Sequence, residues 1–299
     1  MNTNKSNMAV NPYILLSISI LAIAISSILI KSSNTPPSVA GMYRLYITVL
    51  IMLPFVSWKK LRLMQLTKDD WSLISSAGIF LGLHFLFWME SLSYTSVASS
   101  MVILTLQPLF VMIGSYFIFK ERVNKLVIVS MITALFGSII IAWGDIGVSR
   151  EALFGDVLSL LGTVSIAAYM LVGQKVSHKI PANIYSVIVF FIGGSVMLIY
   201  SVMNNSSLIE YSSSDWMYFL LLALIPTIFG QFIFNILLNS IGATTVSVGI
   251  IGEPVLAIIL AYFILGESVN ASQIIGGLFA IMGMGFYFWV KSKLGYKKH

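Results

Sequence analysis

Residues 107–124 read QPLFVMIGSYFIFKERVN, and residues 253–270 read EPVLAIILAYFILGESVN. Shifting the chain by 146 residues lays the first stretch on the second without a gap. Pro108 falls on Pro254, and Tyr116, Phe117 and Ile118 fall on Tyr262, Phe263 and Ile264. Glu121, Val123 and Asn124 fall on Glu267, Val269 and Asn270. The same register continues outward to Gly137 on Gly283 and Trp143 on Trp289. So many identities in one register mark an internal repeat, and a repeat must be recognised before any other reading of the chain.

The repeat sits in a chain of 299 residues that is 58% hydrophobic and 9% charged. Its mean hydropathy is +0.94. A soluble domain carries about 25% charged residues, so this chain cannot cover itself with polar surface, and lipid must be its solvent. A hydrocarbon core about 30 Å thick takes about 20 apolar residues of helix. Ten segments meet that measure: 13–30, 38–57, 72–92, 97–119, 125–143, 154–174, 183–203, 216–238, 244–265 and 272–290. The first run is too long for a signal peptide. The sequence therefore predicts an all-α polytopic membrane protein with ten transmembrane helices and no extramembrane domain.

Each repeat holds five of these helices, over residues 12–143 and 154–290. An odd number inverts the second copy in the membrane. The charges agree: Lys120, Arg122 and Lys125 correspond to Gly266, Ser268 and Ala271, so the motif persists while its positive charge is lost. Inverted repeats are characteristic of secondary transporters. Lys5, Lys59, Lys60, Arg62, Lys68, Lys120, Arg122, Lys125, Lys175 and Lys179 share one side with the lysines of the C-terminal tail. The opposite loops hold only Lys31 and Arg150. By the positive-inside rule both termini are cytoplasmic, and the expected location is the cell membrane. The net charge of +6 is thus topological and points to no nucleic acid. The absence of cysteine excludes disulfides, thiolate metal sites and cysteine nucleophiles. Nothing in the sequence calls for a metal or another cofactor.

The stretch Ser93-Tyr94-Thr95-Ser96-Val97-Ala98-Ser99-Ser100, then Gln107-Pro108, then Phe119-Lys120-Glu121-Arg122-Val123, resembles the EamA-type signature. A second copy runs Gly242-Ala243-Thr244, Glu253-Pro254 and Leu265-Gly266-Glu267-Ser268-Val269, and Arg44 within Tyr43-Arg44-Leu45 fits the same pattern. The resemblance spans nearly the whole chain and is to the drug/metabolite transporter superfamily. It implies a ten-helix fold with a central cavity between two inverted halves. It also implies movement of a small metabolite, often the export of amino acids or related compounds.

Several polar residues fall inside the apolar segments. Pro108 and Pro254 stand near mid-membrane at matched positions, and helix breaks at matched positions point to a binding site near the midplane; a packing kink is the plainer reading. Gln107 and Glu253 precede them. A carboxylate at the helix centre costs on the order of 3 kcal/mol, so Glu253 should face the bundle interior. There it serves as a proton-coupling group, as a ligand for a substrate amine, or as a structural acid bonded to a neighbouring helix. Thr227, Gln231, Asn235 and Asn239 recur at steps of four and make one polar stripe; Gln231 and Asn235 lie deepest and are expected to line the cavity. His84 and Trp88 share a face of the third helix and could contact substrate, with a bundle hydrogen bond as the bland alternative for His84. Tyr169, among Gly162, Ser165 and Gly173, is a further cavity candidate. Arg44 and Glu90 lie at comparable depth and could form an ion pair, structural or an outer gate. Asn124 and Asn270 read as N-caps. Gly78 and Gly82 form a small-residue surface for close packing, with a homodimer contact as the lesser reading.

These features favour a secondary transporter. The alternative is an intramembrane enzyme acting on a lipid-linked substrate. Such an enzyme needs clustered acids, bases or metal ligands, and the chain has no HExxH, no GxSxG and no aspartate pair within its apolar segments. No phosphate-binding loop is present to drive pumping by ATP.

Overall fold

The structure, a computed structural model, describes residues 10–33, 35–95, 97–121, 124–142, 149–265 and 269–296. Among the described residues, ten apolar helices are arranged as two inverted five-helix repeats. They are α1 (Pro12–Ile30), α2 (Pro37–Phe55), α3 (Lys68–Ser91), α4 (Ser99–Phe119) and α5 (Lys125–Ile141), then α6 (Arg150–Val176), α7 (Ala182–Met203), α8 (Ser213–Ser240), α9 (Gly242–Ile264) and α10 (Ala271–Lys293). No strand occurs among the described residues. Of the repeat motif, Arg122, Val123, Trp143, Gly266, Glu267 and Ser268 lie outside the described residues, as does Ser96.

Helix starts differ from the hydropathy reading for a physical reason. Helices α3 and α8 begin with capping boxes, Thr67 with Asp70 and Ser212 with Asp215. Ser149 caps α6 by accepting from the Ala152 amide. These polar first turns satisfy orphan amides and escape an apolar window, so α3 starts at residue 68 rather than 72 and α6 at 150 rather than 154. The expected N-caps are present: Asn124 Oδ1 accepts from Leu126 N, and Asn270 Oδ1 from Gln273 N, each at 2.9 Å. A short helix at the membrane end of α2, Trp58–Leu63, was not anticipated.

The packing pairs occur as symmetry mates. Helix α1 packs on α8 as α6 packs on α3, α1 on α9 as α6 on α4, and α2 on α8 as α7 on α3. The pairs α2–α7 and α5–α10 map onto themselves. Glycines permit the closest approaches. A Cβ on Gly137 would run into the Ala280 amide and the Gly276 carbonyl, and one on its mate Gly283 into the backbone of Ala134. Gly82 faces the Gly193 carbonyl, where a Cβ would sit at 2.8 Å, and Gly78 faces the Val189 carbonyl. The small-residue face of α3 is thus covered by α7 within the same chain and is no contact between copies.

Candidate functional site

Helices α4 and α9 are broken at Thr105–Leu106 and at Ile251–Gly252, positions related by the repeat shift. The amides of Thr105 and Leu106 donate to the carbonyls of Val102 and Ile103 at 3.1 Å. Those of Ile251 and Gly252 donate to Val248 and Gly249 at 3.2 and 3.0 Å. Each helix resumes at Gln107 or Glu253, with Pro108 or Pro254 in the first turn, where a missing N–H leaves nothing unpaired. The prolines therefore start second half-helices rather than bend continuous ones. Glu253 stands at the N-terminus of its half-helix, where the helix dipole favours negative charge.

Between the halves lies a cavity lined by Ser26, Arg44, His84, Trp88, Gln107, Gln231 and Glu253 and by apolar side chains that include Phe85, Leu104, Phe234 and Ile250. Four pairs of lining residues are repeat mates: Leu104 with Ile250, Gln107 with Glu253, Phe85 with Gln231, and Trp88 with Phe234. The cavity therefore sits on the pseudo-twofold axis. Gln107, 3% exposed, points its Nε2 at Met170 Sδ. Glu253, 6% exposed, has no hydrogen bond and no ion pair among the described residues.

Arg44 is held by α1, α3 and α8 together. Its Nε donates to Thr227 Oγ1 at 2.7 Å, its Nη1 donates to Ser26 Oγ at 3.2 Å, and its guanidinium lies 4.3 Å from the centre of the Phe85 ring. Thr227 reaches this position because α8 widens into π-turns over Ala223–Phe232, with Pro226 inside them. Proline withholds the amide that Leu222's carbonyl would take four residues on, and the Thr227 hydroxyl donates to that carbonyl at 2.7 Å. His84 Nδ1 lies 2.9 Å from the Gly162 carbonyl, and because a carbonyl only accepts, Nδ1 carries a proton. Its ring is parallel to that of Trp88, with interplanar angle 3° and centroids 6.0 Å apart. Trp88 Nε1 and Gln231 Nε2 are buried without a hydrogen-bond partner among the described residues.

Beneath the cavity, toward the end of the bundle that bears the chain termini, α6, α8 and α7 are joined. Tyr169 donates to Asn235 Oδ1 at 2.5 Å, and Asn235 Nδ2 donates to Ser186 Oγ at 2.8 Å. Nearer that end, the Ala243 amide donates to Gln174 Oε1 at 2.6 Å. Lys179 pairs with Asp70 at 2.6 Å.

Of the residues singled out from sequence, the structure brings Glu253, Gln107, Gln231, His84 and Trp88 to one cavity. Asn235 and Tyr169 form its floor, bonded to each other. The Arg44–Glu90 pair does not form. Arg44 turns inward to Ser26, Thr227 and Phe85, and half-buried Glu90 makes no ion pair among the described residues. Arg44 lies level with Phe85 in the cavity, whereas Glu90 stands five residues further along α3, at its end. Sequence reasoning missed Arg44 and Ser26 as cavity residues, and Phe85, Met170 and Phe234 as its walls. Pro226-Thr227, a proline followed by a hydroxyl inside an apolar run, was the available signal for the wide turns.

Among the described residues, ten helices in two inverted repeats, with a cavity of mixed polar and apolar lining on the axis between them, form the architecture of a membrane transporter. The model of the EamA-like transporter family matches residues 11–143 and again residues 153–289, and the chain belongs to that family. An uncharacterized transporter of Clostridium kluyveri is 26% identical over 245 residues, which cover 79% of this chain and 78% of that protein. Another, from Archaeoglobus fulgidus, is 22% identical over 91% of this chain and 95% of its own length. A solved crystal structure matches 95% of this chain and 98% of its own with a TM-score of 0.80, at 14% identity, a likeness of fold.

Proposed function

We propose that this protein is a secondary transporter of the cell membrane that moves a small metabolite, an amino acid or related compound, by alternating access, with both termini cytoplasmic. The observation that carries the proposal is the cavity lined by repeat mates at the breaks of α4 and α9. A site on the axis between inverted halves can be exposed to either side by the same motion run in opposite senses. The halves, residues 12–143 and 154–290, rock about it. A ligand biases the equilibrium only through its different affinity for the two states, so the polar groups of the cavity must meet substrate differently in each. Export is the direction that the family resemblance implies.

Glu253 is the coupling group in this scheme. It has no bonded partner among the described residues and lines the cavity. Arg44 and His84 share its cavity and Tyr169 lies beneath it, so these groups set the conditions under which it exchanges a proton.

The test is flux in reconstituted vesicles against a panel of amino acids and organic cations, with a pH gradient on or off. Substrate movement that responds to the gradient in the parent protein and not in Glu253→Gln is the expected result. No flux of any probe refutes the transport role. An unaltered pH response in a folded Glu253→Gln variant refutes the coupling role alone.

A further inference from the structure

The cavity holds one guanidinium and one carboxylate, and the remaining lining is largely apolar. Both line the same cavity, yet no N–O contact within 4.0 Å joins them. In a dry interior, opposite charges without intervening ligand normally close into a hydrogen-bonded pair, because each is otherwise poorly solvated. Here the surroundings hold them apart. Arg44 is fixed from the far side by Ser26 and Thr227 and by the face of Phe85. Those contacts use two of its five N–H donors. Glu253 is fixed by its place at the start of a half-helix.

The uncharged polar groups add to this. Trp88 Nε1 and Gln231 Nε2 are donors, are buried with their residues 4% and 5% exposed, and lack partners among the described residues. A buried donor without an acceptor is costly, and both belong to side chains that line the cavity. Free donors thus cluster with Arg44, and Glu253 supplies the carboxylate acceptor. The complement is a ligand with an acceptor-rich anionic end and a cationic donor end, joined on a body that suits Phe85, Leu104, Phe234 and Ile250.

We propose that Arg44 and Glu253 are the two poles of a single zwitterion site, in which Arg44 takes the carboxylate and Glu253 the ammonium of a substrate with an apolar side chain. A guanidinium suits a planar carboxylate through paired N–H groups, and the indole and amide donors complete its acceptors. This deepens the transport reading and rests on it only for what happens to the bound ligand.

Binding is tested on the purified full chain in detergent by thermal stabilisation, since a ligand that binds the folded state raises its stability. The probes are L-leucine, L-methionine and L-phenylalanine, their amides, which keep only the positive charge, and their N-acetyl derivatives, which keep only the negative one. At least one amino acid is expected to stabilise the protein at a concentration tenfold or more below either of its single-charge analogues. Arg44→Gln should abolish the preference for the amino acid over its amide, and Glu253→Gln the preference over the N-acetyl form. If Arg44→Gln does not fold, Arg44→Lys keeps the charge without the planar fork and should weaken amino-acid binding about tenfold while leaving amide binding unchanged. Equal stabilisation by an amide or an N-acetyl form overturns the two-pole site, and so does the lack of response to every amino acid. Flux of the same probes in vesicles separates the two proposals. An amino acid that binds but does not cross overturns the transport reading alone, whereas a transported probe bearing a single charge, moved as well as the parent amino acid, overturns the zwitterion site alone.

Discussion

Tyr169→Phe keeps the ring and its stacking on Tyr185, whose centroid is 6.3 Å away, and removes only the hydroxyl that donates to Asn235 at 2.5 Å. Both residues are buried, so bulk water does not replace the lost donor. Interhelical hydrogen bonds in membrane proteins average about 0.6 kcal/mol and reach about 1.7. Leaving a buried acceptor unsatisfied costs about 1–3 kcal/mol. The two ranges overlap at about 1–2 kcal/mol, and the burial of Asn235 places this bond there rather than at the average. In an alternating-access cycle, α6, α7 and α8 must part when the site opens toward the chain termini. The bond then exists in one state only, and its full loss enters the conformational equilibrium as a shift of about 5- to 30-fold. The cysteine-free chain allows a direct assay. A single cysteine at Ser247, buried on the terminus-side half of α9, reports opening through its rate of labelling by an impermeant maleimide from that side. The rate should rise about 5- to 30-fold in Tyr169→Phe by the same conversion. If unfolding stability falls by about 1–2 kcal/mol while labelling stays unchanged, the bond is present in both states, and the floor does not part.

Glu253→Gln should fold normally, because it keeps size and hydrogen-bonding capacity, while its flux loses the pH dependence of the parent protein; flux against pH alongside thermal stability checks both halves. Gly137→Ala and Gly283→Ala should each destabilise by about 1–3 kcal/mol, and by similar amounts, because each added methyl meets backbone of the partner helix that cannot step aside. Gly285→Ala has open space and should be neutral or stabilising by up to about 1 kcal/mol, the helix preference of alanine over glycine; unfolding in mixed micelles compares the three. A cysteine replacing Lys60 should be labelled from the cytoplasmic side only, and labelling from outside intact cells refutes the proposed orientation.

The sequence exposed what depends on spacing along the chain and hid what depends on direction around a helix. The inverted repeat, the ten spans and the breaks just before Gln107-Pro108 and Glu253-Pro254 are all matters of position, and the 146-residue register carried them. Gln231 was legible through its step of four from Thr227. The same rule placed Asn235 beside it in the cavity, whereas the structure turns Asn235 to Tyr169 and Ser186. Each step of four advances about 40° around an α-helix, and the wide turns over Ala223–Phe232 displace the stripe further. Arg44 failed in the same way. Counting from the ends of the apolar runs set it beside Glu90, whereas the packing of α1, α3 and α8 draws it inward to Ser26, Thr227 and Phe85. Hydropathy likewise hid the polar first turns at Thr67 and Ser212, since a capping box helps to start a helix without lengthening its apolar run.

The backbone repeat and the side-chain repeat do not have the same symmetry, and that difference bears on direction. The floor residues Tyr169, Asn235 and Ser186 fall, by the 146-residue register, on Ile23, Met89 and Ala40. Helices α6, α8 and α7 are the mates of α1, α3 and α2. Closure of the opposite end by the same motion would therefore bring together an isoleucine, a methionine and an alanine in place of two hydrogen bonds. The opposite end has polar bonds of its own, Ser159 to Ser91 and Ser201 to Ser38, but none at the positions that mirror Tyr169, Asn235 and Ser186. Within the cavity the pattern is similar: Gln231 faces a site whose mate is Phe85, Glu253 one whose mate is Gln107, and Arg44 has Phe190 as its counterpart. An ideally symmetric carrier would favour neither side. On the proposed alternating-access cycle, the repeated backbone would make two orientations reachable, and the unrepeated polar side chains would determine which is preferred when the cavity is empty. On the same proposal, substrate that satisfies Arg44, Glu253, Trp88 and Gln231 would act against a bias set by Tyr169, Asn235 and Ser186, and occupancy of the cavity and opening of its floor would be linked through the same helices, α6 and α8.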